Sequence, residues 1–394
     1  MKSIQEQLKI INRGVMELFS EEELTKKLSR GKPLRVKLGF DPTISDLHLG
    51  HTVVMEKLRQ FQELGHRVIF LVGDYTAQIG DPSGQSKTRP VLTEKEVKQN
   101  AKTYLDQAFK ILDKKKTEIR KNSEWLSKLK PMEIIQLAGE YNVARMLERE
   151  DFKNRFQSEQ QITIQEFIYP LVQGYDSVAL KADVEMGGQD QKFNLVVARD
   201  IQRAYGQEPE VILTMPLLVG TDGQKKMSKS YGNYIGVTES SKEMFGKILA
   251  LSDEQMWHYY DLLSHLDSNE IESRKTGHPK EAKILLAKEI VGRFHGKKDA
   301  EVEAKEFEKV FSKKEKPSDI PEKIFSKNKS GLALVDIMVQ GGLANSKTEA
   351  RRFIQQNAVS VDDEKVTDIA AVLDGKKDSL LKVGKRHFLK VRFS

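Results

Sequence analysis

Two short segments carry side chains suited to phosphoryl chemistry: His48-Leu49-Gly50-His51 and Lys226-Met227-Ser228-Lys229-Ser230. The first opens a stretch with helical spacing. A helix N-terminus presents unpaired N–H groups and the positive end of its dipole, which suits phosphate. Gly50 would let a ligand approach the backbone, and His48 and His51 would share one helical face. Such a pair could donate hydrogen bonds to phosphoryl oxygens as charge builds during transfer. Taken alone, it reads more simply as two solvated or capping groups. No third ligand of recognisable pattern completes a zinc site, so no metal is assigned. The second segment follows the turn Gly220-Thr221-Asp222-Gly223. Its two lysines and two hydroxyls could close over a triphosphate and stabilise departing pyrophosphate. Alone, that segment too reads as a solvated surface loop.

The elements that must position these residues read as α/β. Arg35 to Phe40 alternates like a strand, and Val68 to Val72 is a continuous apolar run of the buried parallel kind. Between them Leu49, Val53, Met55, Leu58 and Phe61 recur at roughly helical spacing, and Gly65 stands where a C-terminal cap belongs. This is a βαβ unit, the building block of doubly wound sheets, whose ligands lie at the carboxyl ends of the strands. The loop Asp41-Pro42-Thr43-Ile44-Ser45-Asp46 occupies that position. From Thr93 to Arg155 the pattern is helical and basic, as in Lys114-Lys115-Lys116 and Arg120-Lys121, and predicts a helical insertion. Strands resume near Ala182 to Met186 and Val211 to Thr214.

Beyond Gly236 the chain is again helical, up to a Lys/Glu/Pro-rich linker from Lys313 to Lys329. From Gly331 a separate module begins. Ala333 to Gln340 predicts a short helix, and Ser346-Lys347-Thr348-Glu349 is a capping box opening a second helix that carries Arg351 and Arg352. Val359 to Val361 and His387 to Phe393 predict strands, with a turn at Asp362-Asp363. The expected architecture is a Rossmann-like doubly wound parallel sheet with a helical insertion over residues 90–165, together residues 1–231. An α-helical domain and linker over 232–330 and a small α+β module over 331–394, with basic side chains on its helix and terminal strand, would follow.

The 394 residues predict two or three domains. Charged residues at 31% and hydrophobic ones at 38% give a globular balance, and no apolar run approaches the roughly 20 residues of a membrane span. Met1 to Leu28 mixes Glu and Lys in a helical pattern and shows no secretory core. The absence of cysteine excludes disulfides and thiolate metal sites and fits a cytoplasmic location. A net charge of +7 is compatible with a polyanionic partner without requiring one.

In combination the two segments resemble the paired signatures of class I aminoacyl-tRNA synthetases. Gly39-Phe40-Asp41-Pro42-Thr43, Gly80-Asp81-Pro82-Ser83-Gly84 and Gly187-Gly188-Gln189-Asp190-Gln191 look like the tyrosyl members, of bacterial type. The tail is similar to a small RNA-binding domain first named for a ribosomal protein. The resemblance implies activation of L-tyrosine by ATP with Mg2+, then transfer to the 3′ end of tRNA(Tyr). It implies that His48, Gly50 and His51 hold ATP phosphates, that Lys226 and Lys229 clamp their far end, and that Asp41 and Thr43 line the same pocket. It places Asp81 at the substrate ammonium, Asp176 at the phenolic hydroxyl, Tyr169 and Gln173 at the amino end, Asp190 at the ribose and Gln191 at the tyrosine carboxylate. The insertion would form a homodimer, and Arg351 and Arg352 would grip RNA. Each has a plainer counterpart: the Tyr169/Gln173/Asp176 stripe could be the polar side of an amphipathic helix that Pro170 would break, and Gly80 to Gly84 is by composition a good turn.

Two departures stand out. Lys37 occupies a first-strand position where many members have a tyrosine. By strand alternation it should still face the pocket, pairing with Asp176 or bonding the phenol. Gln189 replaces a smaller residue. Asp176 is then expected to carry most of the choice of tyrosine over phenylalanine. The rival readings are a tryptophanyl-tRNA synthetase, another adenylate-forming nucleotidylyltransferase, and a non-catalytic RNA-binding derivative.

Overall fold

The computed structural model describes residues 2–43, 46–83, 93–309, 320–326, 331–384 and 387–394. Ile44, Ser45, Gly84 and much of the expected linker lie outside them. The chain divides into two compact units, Met1–Glu303 and Ala304–Ser394.

The first unit is built on a six-stranded sheet of β1 (Glu17–Phe19), β2 (Arg35–Phe40), β3 (Arg67–Val72), β4 (Thr117–Lys121), β5 (Val184–Gly188) and β6 (Val211–Met215), in the order β1-β6-β5-β2-β3-β4. From β6 to β4 the pairing is parallel. Strand order reverses between β2 and β5, the doubly wound switch point where such sheets bind ligands. Val68 to Val72 are buried, as a strand covered on both faces requires. The helix Leu49–Glu63 joins β2 to β3, and Gly65 ends it with φ +91°, a conformation only glycine adopts without strain.

Three strands lie where the sequence predicts helix or linker. β4 lies inside the stretch read as helical and basic, which otherwise holds the helices Glu94–Ala108, Ser123–Leu126, Pro131–Gly139, Val143–Met146 and Glu150–Gln157 and the single turn Lys114–Lys116. Its charged side chains suit a sheet edge, where charge is tolerated and the buried-strand pattern disappears. β1, inside the N-terminal helical stretch, pairs antiparallel with β6, so the sheet is mixed rather than wholly parallel. β7 (Glu322–Phe325) lies within the expected linker.

The helix Ile164–Leu180 runs unbroken through Pro170. Its Leu171 and Val172 share a buried cluster with Val197 and Ile201 of the helix Lys192–Ala204, and this packing outweighs the lost backbone donor. The helices from Ser241 to His295 fall in the same compact unit as the sheet. Arg293 and His265 reach the buried Glu56 carboxylate of the helix Leu49–Glu63 at 2.5 and 3.0 Å.

In the second unit β7, β8 (Leu332–Ala333), β9 (Val359–Val361), β10 (Glu364–Lys365), β11 (Val372–Leu373), β12 (Ser379–Val383) and β13 (His387–Phe393) form a five-stranded sheet, β10-β9-β12-β13-β7, and a two-stranded one, β11-β8. The helices Leu334–Gln340 and Lys347–Gln355 fall where expected, the latter capped by Ser346. Asp362 and Asp363 take positive φ in the turn between β9 and β10. Leu334, Met338, Ile354, Leu381 and Val391 anchor an independent core. β7 runs parallel to β13, which places the start of this module upstream of Gly331.

Candidate active site

A cleft of about 620 Å³ opens at the carboxyl ends of β2 and β5. Lys37, Asp41, Thr43, His48, Gly50, His51, Asp81, Tyr169, Gln173, Asp176, Asp190, Gln191, Lys226 and Lys229 all line it. All the residues expected to hold tyrosine or ATP therefore meet in one place.

Backbone pairing brings the two phosphate-type segments together. Leu49 N–H donates to Ile235 O at 3.0 Å, and Val237 N–H donates to Leu47 O at 2.9 Å. The chain leaving Lys226–Ser230 is thus stitched to the residues that start the helix Leu49–Glu63. Lys226–Ser230 is the return arm of a tight hairpin: Met227 N–H bonds Leu218 O at 2.7 Å and Gly220 N–H bonds Lys225 O at 2.8 Å. Buried Asn233 fixes it, accepting from Ser228 N–H and donating to Asp222 and to the Lys226 carbonyl.

His48 caps the helix and His51 lies one turn inside, their rings 3.9 Å apart. A side chain at position 50 would press on the His48 ring at 3.0 Å, so glycine is needed for the rings to approach. His51 Nδ1 accepts from the His48 N–H at 3.2 Å, which leaves its Nε2 as the hydrogen-bearing nitrogen. Burial, then the neighbouring positive charge, lowers His48 to about 2 and His51 to about 4. Both are neutral donors near pH 7. Lys226 pairs with Asp190 at 3.1 Å and Lys229 with Asp46 at 3.2 Å. These partly exposed pairs are weak, and a phosphate chain would compete for them.

The opposite end suits an amino acid. Asp81 Oδ2 accepts from Gln191 Nε2 at 2.8 Å. That places a carboxylate and an amide donor side by side, the complement of an α-ammonium beside an α-carboxylate. Tyr169 donates to Asp41 Oδ2 at 2.8 Å, and Thr76 to Oδ1 at 2.6 Å. Burial and Asp41 hold the Tyr169 phenol protonated. Deeper in, Asp176 accepts from Trp125 Nε1 at 2.8 Å and Asn122 Nδ2 at 3.3 Å. Burial raises it to about 7 against the pull of Lys37 and these donors.

Lys37 faces the cleft as alternation predicts, but its direct partner is Glu185 at 2.9 Å, not Asp176. Sequence reasoning missed Glu185, Thr76, Asn122, Trp125 and Asn233. The signal for the first was a glutamate inside an apolar strand beside another strand bearing a lone lysine. Arg351 and Arg352 lie exposed on the helix Lys347–Gln355 of the second unit, Arg352 bonded to Glu349 at 3.1 Å.

A parallel switch-point cleft lined by both signature segments defines a class I aminoacyl-tRNA synthetase. The model of class I tRNA synthetases for tryptophan and tyrosine matches residues 29–312. That of the SYY-like C-terminal domain of tyrosine--tRNA ligases matches residues 313–390. The chain belongs to the tyrosine--tRNA ligase family. It is 54% identical over 388 residues, 98% of each chain, to the tyrosine--tRNA ligase of Aquifex aeolicus. It is 52% identical to that of Desulfotalea psychrophila over the whole of both chains. Among solved structures it is similar to a tyrosyl-tRNA synthetase from Archaeoglobus fulgidus complexed with L-tyrosine, at 25% identity and TM-score 0.62, over 77% of this chain and 100% of that one.

Proposed function

We infer that the chain activates L-tyrosine with ATP and transfers it to the 3′ end of tRNA(Tyr). The observation that carries this is the single cleft whose one end offers neutral histidines and two lysines held by partly exposed ion pairs, while the other offers Asp81, Gln191 and Asp176. The tyrosine carboxylate oxygen attacks the α-phosphorus, the bond to the β-phosphate bridge breaks, and pyrophosphate leaves. A terminal ribose hydroxyl of the RNA then displaces AMP from the carbonyl. No side chain becomes a covalent nucleophile; positioning and charge stabilisation carry the rate.

In this reading Asp41, Thr43, Gly50, Asp190 and Lys229 surround ATP, while His48, His51, Lys226 and Lys229 stabilise the departing phosphates. Asp81 takes the ammonium, Gln191 the carboxylate and Asp176 the phenol. Gln173 and Tyr169 frame the amino end, Tyr169 acting through Asp41. Mg2+ would travel on the nucleotide's phosphates, since among the described residues no group of three or more His, Asp or Glu side chains converges as a metal site. It would neutralise phosphate charge there.

Homodimer formation is supported by Met132, Ile135, Val143, Phe156 and Ile164, large apolar residues 60% to 74% exposed within the insertion. RNA contact by Arg351 and Arg352 is supported by their exposure. Among the described residues no helix is long and apolar enough to cross a membrane, and cytoplasmic residence follows from where ATP and tRNA are found. The direct test is charging of tRNA(Tyr) with labelled tyrosine: label should appear at the RNA 3′ end only with ATP present. Tyrosine-independent RNA binding without charging would refute the reading.

A further inference from the structure

The following rests on reading His48, His51, Lys226 and Lys229 as one phosphate-binding set. The histidines start the helix Leu49–Glu63 and the lysines sit on a hairpin far along the chain. Donors from both segments serve one transition state only if the spacing between them is fixed. The pairing of Leu47 and Leu49 with Ile235 and Val237 holds the chain that leaves the hairpin. Its first arm, Leu218 to Gly220, is held by another route.

The Tyr259 hydroxyl donates to Val219 O at 2.7 Å, and Gln255 Nε2 donates to Gly220 O at 2.8 Å. Both side chains come from the helix Asp253–Leu263. At the far end of that helix the Leu263 carbonyl accepts from Arg293 Nη2 at 2.8 Å. Arg293, on the helix Pro279–His295, turns Nη1 to Glu56 Oε1 at 2.5 Å. Glu56 stands on the histidine helix, roughly 7 Å along its axis from His51. A continuous path of helix and hydrogen bonds therefore runs from the hairpin to the histidines.

The joint in this path is buried, with the Glu56 and Arg293 side chains 5% and 7% exposed. Glu56 Oε2 also accepts from Arg59 Nε at 2.9 Å and lies 3.0 Å from His265 Nε2. Burial opposes the carboxylate charge, but Arg293, His265 and Arg59 outweigh it and hold Glu56 below the usual carboxylate range. Glu289 meets Arg293 Nη2 at 3.3 Å and accepts from the His265 N–H at 2.7 Å, which fixes the guanidinium from its other side. A buried ion pair adds little stability over an apolar pair of similar volume. It does impose one distance and one direction on the elements it joins.

We propose that Glu56 and Arg293 are positioning residues for the activation step, setting the spacing between the histidine donors and the lysine hairpin so that both reach the same phosphate chain. Neither residue lines the cleft, so both act through His51 and the hairpin lysines. Asp81, Gln191 and Asp176 stand on other elements, and tyrosine binding is independent of the joint.

The test replaces the joint by an apolar pair, Glu56→Leu/Arg293→Met, in the full chain and again in a His51→Ala background. Thermal melts establish folding, equilibrium titration gives tyrosine affinity, and stopped flow gives the rate of adenylate formation. The apolar pair should keep the melting temperature and the tyrosine affinity while the activation rate falls roughly ten- to a hundredfold, as for a misplaced donor set. In the His51→Ala background the same pair should cost several-fold less, because the donor it misplaces is already gone. Arg293→Lys, which keeps a cation beside Glu56, should lose less than the apolar pair. If the apolar pair fails to fold, Glu56→Gln and Arg293→Lys carry the same comparison. A wild-type activation rate, a parallel loss of tyrosine affinity, or a loss fully additive with His51→Ala would overturn the proposal and leave Glu56 and Arg293 as a packing contact. Failure of the unaltered chain to activate tyrosine would instead overturn the reading of the cleft.

Discussion

The Tyr169 hydroxyl donates to Asp41 at 2.8 Å, joining the helix that carries Asp176 to the loop at the end of β2. Asp41 also accepts from Thr76, and Asn122 donates both to Thr76 and to Asp176. An unbroken run of hydrogen bonds therefore joins Tyr169, Asp41, Thr76, Asn122 and Asp176 along the amino-acid end of the cleft. Tyr169→Phe removes one such bond to a charged acceptor and should lower kcat/KM for tyrosine roughly ten- to a hundredfold in pyrophosphate exchange. An unchanged value would mean that Asp41 needs no anchoring.

Asp176 gives the site a pH dependence of defined sign. Its carboxyl is raised to about 7 by burial, so it is neutral below that pH and ionised above it. Only the ionised form is purely an acceptor for the phenolic hydrogen. Tyrosine binding should tighten as pH rises through about 7, and Asp176→Asn should flatten that dependence and weaken the choice against phenylalanine. The raised value also means that the native fold holds this proton more tightly than the unfolded chain, so this group's contribution to stability falls as pH climbs from the ordinary carboxylate range toward 7. Binding titrations and thermal melts across that window measure the two effects separately.

The histidines should add no inflection near neutrality, because burial keeps both uncharged there. His51→Ala should reduce the activation rate by about a hundredfold or more while leaving tyrosine affinity intact, as for loss of a donor aimed at transition-state charge. Stopped-flow measurement of adenylate formation, beside equilibrium tyrosine binding, distinguishes the two. A pure loss of affinity would contradict this role.

Much of this was legible in the sequence because it rests on short-range chemistry. β2, the helix Leu49–Glu63, Gly65 and β3 follow from apolar spacing and a cap, and the residues expected to hold tyrosine or ATP followed from motif resemblance. What was hidden depended on partners distant in the chain. β4 and β7 are edge strands whose charged residues mimic a helix or a linker, and only their neighbours β3 and β13 define them. Lys37 was expected to face the cleft, yet its pairing with Glu185 required knowing that β2 lies against β5. Pro170 suggested a break that packing on the helix Lys192–Ala204 suppresses.

The exposed apolar residues of the insertion predict a subunit contact. Ile135→Lys combined with Ile164→Lys places two charges among them, at sites 62% and 74% exposed, where the fold itself has little to lose. Sedimentation should show a dimer for the unaltered chain and a monomer for the double variant, with thermal stability of the monomer little changed. A monomeric unaltered chain would refute the contact.

The central claim is that this cleft activates tyrosine, and the most direct measurement is pyrophosphate exchange into ATP with each amino acid in turn. Exchange with tyrosine alone is the predicted result. Exchange driven by tryptophan, or by no amino acid, would contradict it.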